Sequence, residues 1–209
     1  ELCGHRLAFN LAFKDFDLNW HWSENKYLDL LKISGGLNRI IHYRNEINSK
    51  LNDHKCSKIQ LRKRFYYKQL IESGQIKLRK GVLRLIDELH SFDIEQFIVT
   101  TSGRDSLKPF LKNSLHLNKH FFSGMITFED VNRHKPFPDA YNLAIKLSKQ
   151  SKESCIVIED SIIGVDAARG AHLNCLLTLP PWSSSNQQFS KKATACVNTL
   201  GETNFPSKV

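Results

Sequence analysis

Two polar clusters stand directly behind short apolar runs, Thr100-Thr101-Ser102-Gly103 after Phe97-Ile98-Val99 and Glu159-Asp160-Ser161 after Ile156-Val157-Ile158. A third, Lys135-Pro136, follows the apolar pair Met125-Ile126 at a loop's distance. Hydroxyl, ammonium and carboxylate gathered in one crevice make a site for a phosphate and a divalent cation. In an open α/β sheet ligands bind beyond the carboxyl ends of the strands, where these groups fall. Thr101 and Ser102 offer hydroxyls and backbone N–H groups at the start of a helix, whose dipole favours an anion. The plainer reading is an N-cap. Lys135 precedes a proline, which favours extended backbone, and Pro138 suits the first turn of a following helix. Its ammonium could neutralise a phosphate and a carboxylate together, or simply be solvated as most lysines are. Adjacent Glu159 and Asp160 repel one another unless a cation lies between them. Mg²⁺ takes one or two carboxylates and fills its octahedron with waters and substrate phosphate. Against that stands capping of the next helix by Asp160 or Ser161.

Other chemistries are poorly served. The sequence has no Walker A pattern and no G-x-G-x-x-G. Asp15-Phe16-Asp17 has the spacing of paired catalytic carboxylates, but it ends an amphipathic helix instead of an apolar strand and reads as surface and turn. His116 and His120 are spaced i, i+4 as zinc ligands can be, yet no Glu follows His116 as H-E-x-x-H requires; they read as solvated. No acidic residue sits where a nucleophile facing the three clusters is expected.

The elements that must position the clusters follow from periodicity. Phe9, Ala12, Phe13 and Phe16 mark one helical face, and Tyr27 to Leu31, Leu37 to Ile47 and Ser57 to Ile71 suggest three more helices, the last stopping at Ser73-Gly74. Ser34-Gly35-Gly36 permits a tight turn close to a ligand. After Lys80-Gly81 the rhythm changes to helix and short uninterrupted strand in alternation: Val82–Leu89, Phe97–Val99, Leu107–Leu111, Met125-Ile126, Pro138–Leu147, Cys155–Ile158, Ile163–Ala171, Cys175–Leu177, with Ala195–Val197 as a late edge strand. That alternation predicts an α/β fold, a doubly wound parallel sheet covered on both faces, behind an all-helical segment. Gly164, Ala167, Ala168 and Gly170 keep one helix slim for close packing.

The chain has 209 residues, 41% hydrophobic and 24% charged, as in a globular protein of one or two domains. Its five cysteines are scattered and form no C-x-x-C pair, which disfavours a disulfide framework or a zinc site. No apolar run reaches the length of a membrane helix. Between Arg39 and Lys80 stand twelve Lys and Arg against three acids, an excess equal to the whole chain's net charge of +9. Such a segment can attract nucleic acid or a small anionic substrate, or form a solvated helix face.

Taken together and in order, FIVTTSGR (Phe97 to Arg104), KPFPD (Lys135 to Asp139) and IVIEDSIIG (Ile156 to Gly164) resemble motifs two, three and four of the haloacid dehalogenase superfamily. HRLAFN (His5 to Asn10), LLKISGGLNRI (Leu30 to Ile40) and Gly81 to Leu89 resemble the branch with a helical cap, close to the CbbY-like and β-phosphoglucomutase-like phosphatases. The resemblance implies a Rossmann-like core over residues 79–209 with an inserted all-helical cap over residues 1–78. It implies a Mg²⁺-dependent sugar-phosphate phosphatase working through a phospho-aspartyl intermediate, with a sugar phosphomutase as the alternative. Thr101 and Lys135 would be catalytic, with Thr101 holding the transferring phosphoryl group and Ser102 assisting through its N–H. Asp160 and Glu159 would hold the metal, and His5, Gly36, Arg39 and Lys68 would read the substrate. The nucleophilic Asp and its acid–base partner belong to a D-x-D-G-T motif expected ahead of residue 1, so these 209 residues alone are expected to be inactive. The expected partner is a phosphorylated sugar, with no membrane or nucleic acid, for a monomer of the cytoplasm or, in a plant or alga, the plastid stroma. A chain that binds nucleic acid or other anions through residues 39–80 without catalysis is the competing expectation.

Overall fold

The structure, a computed structural model, describes residues 2–33, 35–114, 121–179 and 192–201. Ser34, His116 and His120 lie outside the described residues. The chain divides into two compact units, Glu1–Lys77 with Asp105–His116, and Leu78–Arg104 with Leu117–Val209.

In the first unit a π-turn over Leu2–Arg6 leads into α1 (Leu7–Asp15), followed by α2 (Glu24–Leu30), α3 (Gly36–Glu46) and α4 (Asp53–Glu72). α1 and α3 both pack on α4, burying Phe9, Ala12 and Phe13 with Cys56, Ile59 and Ile71. Trp22 lies among these rings, 4.6 Å from Phe9 and 4.9 Å from Phe13 between centroids. Asn10 fixes it there: its amide oxygen accepts from Trp22 N at 2.9 Å while its Nδ2 donates to Trp22 O at 3.0 Å. The expected stop at Ser73-Gly74 is present, with Gly74 at φ 71° and Gln75 N–H donating to Leu70 O at 3.2 Å.

The second unit contains α5 (Val82–Ser91), β1 (Phe97–Val99), the start of α6 (Arg104–Ser114), β2 (Gly124–Ile126), α7 (Asp139–Ser148), β3 (Ile156–Glu159), α8 (Ile162–Gly170), β4 (Asn174–Thr178) and β5 (Ala195–Val197). Every strand pairing is parallel, as the alternation predicts. β1 pairs with β2, placing Val99 opposite Ile126, and β3, β4 and β5 form a second set with Glu159 opposite Leu177. Among the described residues β1 and β3 do not pair, so each keeps one open edge. One face of β3 is well packed: Val157 joins Tyr141, Val165, Ala167, Ala168 and Cys175 in a buried cluster. The other face is not, for Ile156 is 66% and Ile158 40% exposed. α5 is strongly amphipathic yet buries none of its side chains.

Among the described residues no helix is long and apolar enough to cross a membrane. All five cysteines are free.

Candidate active site

The second unit gathers two of the three predicted clusters at one atom. Lys135 enters from the loop ahead of α7 after a cis Lys135–Pro136 peptide, and its side chain is buried. Its Nζ donates to Val99 O at the end of β1 (2.9 Å), to Tyr141 Oη on α7 (3.0 Å) and to Glu159 Oε1 at the end of β3 (2.5 Å). Thr101 is two residues beyond Val99 and Asp160 one beyond Glu159, so both follow residues tied to the same ammonium. A buried lysine is tolerated because these acceptors engage its N–H groups and one of them is anionic.

Glu159 is buried and its carboxylate is fully engaged. Oε1 also accepts from Tyr141 Oη at 2.5 Å, and Oε2 accepts from Asp160 N and Ser161 Oγ, both at 3.2 Å. The carboxylate rests on Gly164, where a Cβ would stand 1.9 Å from its carbon. Burial and then the Glu159 charge hold the Tyr141 phenol above its ordinary range, which keeps it a donor at neutral pH. Burial likewise pushes the neighbouring Cys175 thiol up to about 11. Behind the strand, Thr178 Oγ1 donates to Glu159 O at 3.2 Å and itself accepts from Arg79 Nη1 at 2.8 Å.

Ser161 caps α8, accepting from Gly164 N at 3.1 Å, so the capping and functional readings of this cluster hold together. Asp160 is exposed at the strand end. Among the described residues no three His, Cys, Asp or Glu cluster as a ready-made metal cage. A single carboxylate at a strand end fits Mg²⁺, which keeps most of its waters and shares the substrate's phosphate, whereas it would suit Zn²⁺ poorly.

The Thr-Ser-Gly cluster is arranged differently from a bare helix start. Thr100 Oγ1 accepts from Ser102 N at 3.0 Å, so that N–H already has a partner. α6 begins at Arg104, whose N–H donates to Glu129 Oε2 at 3.1 Å. Burial acts to raise the Glu129 pKa, but its own backbone N–H, the Thr127 hydroxyl and the Arg104 N–H outweigh this and lower it. Thr101 itself is exposed.

The substrate-reading candidates lie in the first unit. Arg39 Nε donates to Leu30 O (3.1 Å) and Ile33 O (2.9 Å), tying the end of α2. Gly36 opens α3, and a Cβ there would meet the Gln60 side chain at 2.6 Å. Lys68 is half exposed and 3.8 Å from Glu72. His5 stacks on Tyr67 at 3.8 Å between centroids, and its Nδ1 accepts from Lys63 Nζ at 2.8 Å. Lys63 is 7% exposed, with its ammonium 5.0 Å from the Phe9 and Tyr67 ring centroids. Sequence reasoning passed over Lys63 and Tyr141. Lys63 is detectable as a charge on an apolar stripe, since Cys56, Ile59, Lys63 and Leu70 recur at helical spacing. Asp15, half of the decoy pair, bonds Arg62 and, at 2.8 Å, Tyr66, and Asp17 is a positive-φ turn residue, as its surface reading requires.

Residues 7–178 match the family model described as haloacid dehalogenase-like hydrolase. Protein CbbY of Rhodobacter capsulatus is 31% identical over 83% of this chain and 77% of its own length. A CBBY-like protein of Arabidopsis thaliana is 30% identical over 97% of this chain, which spans 65% of that relative. Among solved structures, CbbY from Rhodobacter sphaeroides in complex with phosphate superposes with a TM-score of 0.85 at 26% identity, over 94% of this chain and 87% of that one. A variant of that CbbY in complex with xylulose-(1,5)bisphosphate matches equally well. With the family's motifs standing at the ends of β1 and β3 and the match running through both, the chain belongs to the haloacid dehalogenase-like hydrolases.

Proposed function

We propose that this hydrolase removes phosphate from a small phosphorylated sugar, a bisphosphate being the favoured substrate, with Mg²⁺ as cofactor. The observation that carries the reading is the buried Lys135 ammonium, held between the ends of β1 and β3 beside their open edges. A strand seated between those edges would extend both hydrogen-bond ladders. Its carboxyl end would set an Asp beside Lys135 and Asp160. We assign the nucleophile to such a strand, from a segment preceding residue 1. The bisphosphate bound by the Rhodobacter sphaeroides relative supports the substrate class.

In this mechanism the nucleophilic carboxylate attacks phosphorus and the P–O bond to the sugar breaks, the leaving oxygen taking a proton from the neighbouring acid. Water then attacks the phospho-aspartate, giving that acid its proton and releasing inorganic phosphate and the free carboxylate. Lys135 balances the crowded negative charge, the Thr101 hydroxyl donates to a phosphoryl oxygen, and Asp160 holds the cation. Bound Mg²⁺ supplies Lewis-acid neutralisation of the phosphoryl oxygens. Ser102, His5, Gly36, Arg39 and Lys68 remain the proposed substrate contacts.

The test is phosphate release from a panel of sugar phosphates by the protein with its D-x-D-G-T segment, with and without Mg²⁺. We expect turnover that EDTA abolishes and that Asp160→Ala reduces to background. An isomeric sugar phosphate instead of free phosphate would identify a mutase. Inactivity on every sugar phosphate, together with tight binding of nucleic acid, would replace the reading with a binding role for residues 39–80.

A further inference from the structure

Glu159 and Asp160 are adjacent acids, but the fold treats them differently. Both Glu159 oxygens are spent: Oε1 on Lys135 Nζ and Tyr141 Oη at 2.5 Å each, Oε2 on Asp160 N and Ser161 Oγ at 3.2 Å. That is about four hydrogen bonds, the acceptor capacity of a carboxylate. The group is also wedged against the first turn of α8, where only the missing side chain of Gly164 leaves room for it. Asp160 is exposed and lies one residue farther along the chain. Tyr141 bridges the pair from α7, donating to Glu159 while accepting from Lys135, and the ammonium stands 4.7 Å from its ring centroid.

We propose that Tyr141 is a positioning residue for the Lys135 ammonium, acting with Glu159 to hold it between the ends of β1 and β3. The inference rests on the phosphatase reading only for its kinetic arm. Without the phenol, Lys135 loses one of the acceptors that fix its ammonium, and its tip can swing away from the line between β1 and β3. Phe in its place keeps the ring and its contact with the cation, so the variant isolates the hydroxyl.

One variant, Tyr141→Phe, tests the role by two measurements on the full-length protein. For Tyr141→Phe, kcat should fall about tenfold with KM nearly unchanged, and reductive methylation of Lys135, followed by mass spectrometry, should accelerate. An unchanged methylation rate overturns the positioning role whether or not the protein turns over sugar phosphates. A wild type that hydrolyses none of them, while methylation still accelerates in Tyr141→Phe, removes the phosphatase reading alone.

Discussion

A single methyl group decides the state of Glu159. Alanine in a helix ordinarily gains about 0.5–1 kcal/mol over glycine, so helix propensity alone makes Gly164→Ala stabilising. The geometry predicts the opposite sign, because a Cβ 1.9 Å from the Glu159 carboxyl carbon must evict that group from Lys135 and Tyr141. Chemical denaturation should show a loss of stability, accompanied by reduced turnover. Asp130 offers a pH test. Its carboxylate accepts from Thr127 Oγ1 (2.6 Å) and Thr127 N (2.8 Å) and pairs with Arg104, and these bonds, the Thr127 hydroxyl first, lower its pKa. A depressed folded-state pKa gives stability that is complete above the unfolded value of about 3.9 and lost as pH falls through the folded one. Asp130→Asn should therefore destabilise at neutral pH, with the difference from wild type fading in acid. At this scale the sequence pointed to Lys135 and Glu159 through their place near the ends of apolar runs, and the fold brings the two together. It could not show that Tyr141 bonds both, because that depends on how α7 packs beside the strand ends.

At the scale of elements, helices and strands were almost wholly legible, since each carries its own periodicity and stop signal; β5 could be read from three residues. The links between elements were not. Asn10 reads as one polar residue on an apolar helix, yet it closes both hydrogen bonds of the Trp22 backbone from twelve residues away. Asn10→Ala leaves the buried Trp22 N–H without its acceptor, a loss of about 1–3 kcal/mol, while Trp22 O keeps Arg6 Nη1 as donor. Urea unfolding followed by tryptophan fluorescence should record a lowered midpoint. Lys63 illustrates the same limit: its place in the helical repeat is visible, but its His5 partner, 58 residues earlier, becomes apparent only in the fold.

For the whole molecule, charge was legible and its use was not. The excess between Arg39 and Lys80 is partly internal, because Arg39, Arg44 and Arg79 each donate to backbone carbonyls and Arg62 pairs with Asp15. Cations left to solvent should still draw in dianionic substrates. Raising ionic strength should lower kcat/KM more for a sugar bisphosphate than for a monophosphate, with kcat little changed. The parallel sheet was predicted; its arrangement as two strand sets was beyond periodicity, which reports what a strand is and not what lies beside it. Lys135 ties one set to the other through Val99 O and Glu159, and α7 packs on β1, β2 and α8 beside it. Replacing that lysine would therefore loosen the seam between the two sets as well as remove the positive charge at its head.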